Sequence, residues 1–121
     1  MRRDPRYYLW DALRPAESVQ AFVQGTTYEV FIEDDLVRSA VERQLQIVGE
    51  ALSQLAKLDP QIASNVAELR RIIAFRNILV PGYAAIEYDT VRRLIEDKLP
   101  ELQANLRMLL DARPDPPPDK P

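Results

Sequence analysis

Between Val37 and Leu55 the chain sets an apolar residue at every third or fourth position: Val37, Val41, Leu45, Val48, Leu52 and Leu55. That step follows the 3.6-residue turn of a helix and not the two-residue alternation of a strand, so it commits the stretch to a helix with one buried stripe. Only three glycines but ten prolines occur in 121 residues. Breaks should therefore fall at prolines, and the rest of the chain has few places at which to bend.

The same step recurs in the other segments. A first helix is expected from Pro5 to Gln24, with Asp4 as N-cap and Pro5 at N1, where the missing N–H of proline costs nothing. Leu9, Leu13, Ala16, Val19 and Val23 make its stripe, Pro15 should kink or divide it, and Gly25 ends it. The second helix is expected from Tyr28 to Leu58, capped by Thr27 and closed by Asp59-Pro60, with Gly49 a place for close backbone approach. A third is expected over Ile62 to Val80, stopped by Pro81-Gly82. A fourth begins near Asp89 with Val91, Ile95, Leu99, Leu102, Leu106 and Leu109 apolar, and Pro100 kinks it or opens a short fifth. No stretch alternates as a strand would. The reading is an all-α, antiparallel four/five-helix up-and-down bundle over residues 1–112, followed by a disordered Pro-rich tail over 113–121 with five prolines in its nine residues.

The missing residue types narrow the chemistry. There is no histidine and no cysteine, so a zinc site would have to be all carboxylate, and no metal or cofactor is expected. No side chain has an unperturbed pKa near neutrality. The net charge of −3 argues against a broadly basic nucleic-acid surface. No apolar run reaches the ~18 residues of a membrane span, and Met-Arg-Arg-Asp-Pro opens without an apolar signal core, so a cytoplasmic protein is expected.

One stretch carries more than periodicity: Ala74-Phe-Arg-Asn-Ile-Leu-Val-Pro-Gly-Tyr83. On spacing alone it is a helix end, with a basic residue in the last turns, Pro-Gly as the stop and a Tyr in the following loop. It also resembles the active-site signature of the HEPN ribonucleases, in which an Arg is followed four to six residues later by a His. In the HepT branch a Tyr follows at the second residue after that His. Arg76 and Tyr83 match, and Pro81 stands at the His position. The resemblance extends to Asp-Pro-Arg-Tyr-Tyr-Leu-Trp-Asp-Ala-Leu at 4–13, Gln-Ile-Val-Gly-Glu-Ala-Leu at 46–52 and Leu-Pro-Glu-Leu at 99–102, and so covers roughly residues 4 to 112.

The resemblance to HepT-like toxins implies a metal-independent RNase toxin of a toxin–antitoxin pair, of the type II or VII kind, acting on mRNA or tRNA. It implies a homodimer in which two copies of the motif face one cleft. Its antitoxin would be an MntA-like minimal nucleotidyltransferase that attaches AMP to the motif Tyr. Carried onto this chain, Arg76 is the phosphate ligand, Asn77 a polar neighbour in the cleft, and Tyr83 the acceptor of AMP. Pro81 fills the position of the general base and, having no ionisable group, cannot do its work. The chain is therefore expected to be inactive or nearly so. The alternative is a non-catalytic helical scaffold, which fits the absent base and the negative net charge.

Other candidates read more simply. Glu33-Asp34-Asp35 suggests a cation site but also suits the first turn of a helix, and Glu96-Asp97 suits solvent. Arg70 and Arg71 could extend an RNA path from Arg76 or lie on a solvated face. Tyr7, Tyr8 and Trp10 give the first helix apolar surface outside its stripe, for a subunit contact or for the core.

Overall fold

The structure, a computed structural model, describes residues 4–66, 69–78 and 88–112, and for 74–78 and 88–90 the backbone course alone. The described residues contain helices and no strand. They form the expected all-α bundle, with the hydrophobic stripes of its long helices turned into one core.

Helix α1 spans Pro5–Val23. The Asp4 carboxylate accepts from the Arg6 N–H at 2.9 Å and from the Arg6 guanidinium, so the cap and an ion pair are made by the same group. Pro15 lies buried within α1 and does not divide it. Gly25 ends it with φ of +74°, and a side chain there would meet nothing within 4 Å. Backbone geometry, and not space, therefore calls for glycine.

The expected single helix from Tyr28 to Leu58 is two helices, α2 (Tyr28–Glu33) and α3 (Asp35–Leu58). Asp34 makes the division. Its N–H donates to the Val30 carbonyl at 3.0 Å, closing α2, and its carboxylate accepts from the Val37 N–H at 3.1 Å, opening α3. An aspartate that can cap competes with a helix running through it. Thr27 caps α2 as expected, through the Val30 N–H.

The third expected helix is also divided, into α4 (Pro60–Ala63) and α5 (Leu69–Ile78). Asp59 closes α3 and caps α4, accepting from the Ile62 N–H at 3.0 Å. After α4 the side chains of Ser64 and Asn65 both donate to the Gln61 carbonyl, at 2.6 and 3.2 Å. They offer that carbonyl an alternative to the helical ladder, and the Ile62 to Val80 periodicity could not reveal it.

The fourth stretch runs as α6 (Tyr88–Arg93), a π-helical turn (Leu94–Lys98) and α7 (Leu99–Asp111). Pro100 stands at the second position of α7, in the first turn of the helix that opens there, as one of the two expected readings had it. In the π turn the Leu99 N–H reaches back five residues to the Leu94 carbonyl. The next carbonyl, that of Ile95, would in this register take the N–H of residue 100, which proline lacks. The Gln20 side-chain amide from α1 donates to it instead, at 3.0 Å.

The main packing pairs are α1 with α3, α1 with α7 and α3 with α5. Thr26 meets Arg92, Gln20 meets Ile95 and Glu17 meets Arg107. Residue numbers fall along one partner as they rise along the other, so α1 and the 88–111 stretch are antiparallel. Leu9, Val19, Phe31, Val41, Val48, Leu52, Leu55, Val91, Ile95, Leu102 and Leu106 are fully buried. Each contributes on the order of 1.5–3 kcal/mol over an exposed side chain. Tyr8 and Trp10 lie against this core, partly buried, and Arg14 stacks over the Trp10 ring at 5.6 Å. The tail over 113–121 lies outside the described residues.

Candidate functional site

The motif begins on α5. Leu69 and Ile73 pack against the core and Ile72 is buried, which fixes α5 against α3. Position 76 comes one turn after Ile72, and Arg76 and Asn77 both fall in the last turn of α5, which ends at Ile78. The C-terminus of a helix carries partial negative charge, so a cation at this point is favoured by the backbone itself. Pro81 and Tyr83 lie outside the described residues. The described chain resumes at α6.

Helix α6 is held by Arg92. Its guanidinium donates to the Thr26 carbonyl at 2.5 Å and to Glu96 at 2.8 Å, and lies 5.5 Å from the centroid of the buried Phe31 ring. Arg92 thus ties α6 to the α1–α2 turn and to α2. Its position in the sequence carried no signal that singled it out.

Arg70 and Arg71 are exposed on the first turn of α5, where with Ser64 and Leu69 they line an open depression. Six residues of helix, about 9 Å of rise, separate Arg70 from Arg76. The acidic candidates serve local structure. Asp34 is the cap described above, and Asp35 pairs with Arg38. Glu96 pairs with Arg92, while Asp97 is exposed. Among the described residues no group of three or more carboxylates is arranged to hold a metal ion. No described helix is long and apolar enough to cross a membrane.

A second polar feature was missed in the sequence. Gln103 sits among the leucines of α7 and is only 8% exposed, in a register otherwise filled by Leu99, Leu102, Leu106 and Leu110. An amide in a leucine stripe was the available signal. It faces a groove between α1 and the 88–111 stretch.

Residues 12–109 match the family model described as "Ribonuclease HepT-like". The "Putative RNase TTE0752" of Caldanaerobacter subterraneus is 30% identical over 108 residues, covering 89% of this chain and 96% of the relative. The "Putative RNase MJ1380" of Methanocaldococcus jannaschii is 28% identical over 108 residues, with 89% and 98% covered. The "Probable ribonuclease HepT" of Thermococcus cleftensis is 25% identical over 113 residues, with 90% and 98% covered. No solved structure matches the chain. The match runs from within α1 to within α7, including the Arg76-to-Tyr83 segment, and the chain belongs to the HepT-like ribonuclease family.

Proposed function

We propose that the chain is the toxin of a HepT-type toxin–antitoxin pair whose RNA-cleaving step is disabled at position 81. The observation that carries this reading is the frame Arg76–Pro81–Tyr83 inside a family match that runs from residue 12 to residue 109. In the active reaction, a base removes the proton from a ribose 2′-hydroxyl and its oxygen attacks the adjacent phosphorus. The bond from phosphorus to the 5′-oxygen breaks, and that oxygen takes up a proton. No metal is needed. The Arg76 guanidinium, planar and always charged, suits the phosphate whose charge builds during the attack, and Asn77 offers a neutral donor beside it. Proline at 81 supplies no base. Loss of a positioned base typically costs about 10²–10⁴ in rate.

In this reading two chains form a two-fold dimer that brings both Arg76-to-Tyr83 segments to one cleft, which accepts mRNA or tRNA in the cytoplasm. An MntA-like nucleotidyltransferase then transfers AMP to the Tyr83 hydroxyl. The added phosphodiester would place negative charge where RNA phosphate must bind. The rival reading, a non-catalytic helical scaffold, is favoured by the absent base and the net charge of −3.

Restoring histidine separates the two. Pro81→His, expressed without antitoxin, should arrest growth and cleave RNA at least a hundredfold faster than the Pro81 chain. Equal harmlessness of both forms would leave the scaffold reading standing. For the antitoxin, incubation with the cognate nucleotidyltransferase and ATP should add AMP masses that a Tyr83→Phe chain lacks.

A further inference from the structure

The groove beside Gln103 has no task in the chemistry above. It lies between the C-terminal half of α1 and the α6–π–α7 stretch, with a volume of about 620 Å³, inside the roughly 300–1,000 Å³ range of small-ligand sites. Gln103 is more than nine-tenths buried, and none of the hydrogen bonds among the described residues engages its amide. The side chain is buried but its amide atoms are not among the fully enclosed ones, so they stay open to pair with a group that enters the groove.

The charges around it limit what that is. Arg107 is paired with Glu17 across α1 and α7, and Arg92 with Glu96 and the Thr26 carbonyl. Two cations and two carboxylates leave the groove electrically balanced; each guanidinium is paired with a carboxylate, and the one Arg92 nitrogen without a partner is itself buried. A phosphate would have to displace a carboxylate. A neutral planar group with a donor and an acceptor side by side meets no such competition, and the Gln103 amide matches it.

We propose that this groove is a nucleobase subsite in which the Gln103 amide pairs with the edge of an RNA base, adenine best. The proposal rests on the ribonuclease reading. Adenine offers its N6 amino group to the amide oxygen and its N7 to the amide N–H, the bidentate pairing for which glutamine is suited. Unstacked bases of single-stranded RNA are read along their edges in this way.

The full-length chain, carrying Pro81 and so expected to leave RNA uncut, permits equilibrium binding. Fluorescence anisotropy with labelled ten-nucleotide RNAs of A, C or U should show the A strand bound about tenfold more tightly than the U strand. Gln103→Leu should remove that preference, and Gln103→Glu, which keeps the length but only accepts, should move it towards C. Arg76→Ala should weaken all three strands alike. Thermal melting of each variant checks the fold. RNA binding with no base preference, or a preference that survives both Gln103 variants, would overturn the inference while leaving the ribonuclease reading in place. Failure of the Pro81 chain and of Pro81→His to bind any RNA would remove both.

Discussion

Helix α3 and the 88–111 stretch are each 24 residues long and each presents an apolar stripe to the core, yet they are built differently. In α3 the helical register holds from end to end, and its termini are set locally by Asp34 and Asp59. The 88–111 stretch changes register one turn before Pro100, and the carbonyl this leaves over is satisfied by Gln20, 75 residues away in the chain. The first helix is specified by its own sequence. The second is specified only together with α1. The comparison predicts that α3 fails by loss of packing, whereas the 88–111 stretch fails by loss of a single polar contact.

Leu52→Ala tests the packing half. Leu52 is fully buried on α3, and removing such a side chain leaves a cavity worth about 2–5 kcal/mol. Urea unfolding followed by circular dichroism should show a midpoint shift of that size. A loss below about 1 kcal/mol would mean that the α1–α3 seam is looser than its burial indicates.

The polar half is tested by Gln20→Leu, which strands the Ile95 carbonyl. The expected cost is about 1–3 kcal/mol, the penalty for an unsatisfied buried polar group. Pro100→Ala restores an N–H at position 100 and so gives that carbonyl a backbone donor. In a double-mutant cycle the Gln20→Leu penalty should shrink by about 1 kcal/mol on the Pro100→Ala background. Strictly additive penalties would mean that Gln20 is not compensating for proline.

Asp34→Ala should cost about 1 kcal/mol, and up to about 2, because one side chain caps α3 where α2 ends. Asp34→Asn should recover most of it. If both substitutions are silent, the division between α2 and α3 is set by tertiary packing and not by the cap.

How much of this was legible in the sequence follows the same line. The stripes of α1, α3 and α7 were read directly, as were Asp4, Thr27, Gly25 and Asp59, because their signals lie within a few residues of the structure they specify. The break at Asp34 was missed although its cause is local, since Glu33-Asp34-Asp35 was read as charge in a first turn and not as a cap. The turn after α4 was missed because Ser64 and Asn65 act by hydrogen bonds that apolar spacing does not register. The π turn could not be read, since it depends on a glutamine in another helix. At the candidate site the legibility was chemical: Arg76, Asn77, Pro81 and Tyr83 stood out by resemblance to a signature. The structure places the first two at the end of α5.

The smallest expected effect compares two arginines at the α1 face of the 88–111 stretch. Arg92 is 14% exposed and meets a carbonyl, a carboxylate and an aromatic ring, whereas Arg107 is 54% exposed and pairs with a Glu17 that is itself 42% exposed. Water screens the Arg107 pair, and holding two long side chains together costs rotamer freedom, so Arg107→Ala should change stability by less than about 1 kcal/mol. Arg92→Ala strands the Thr26 carbonyl and unties α6 from α2, and should cost more, about 2 kcal/mol. Urea midpoints in low and high salt separate the two: the Arg107 effect should vanish at 1 M salt, where the screening length falls to about 3 Å, and the Arg92 effect should persist. Equal penalties with equal salt dependence would mean that Arg92 is only another surface ion pair, and that α6 is held by Val91 and its apolar neighbours alone.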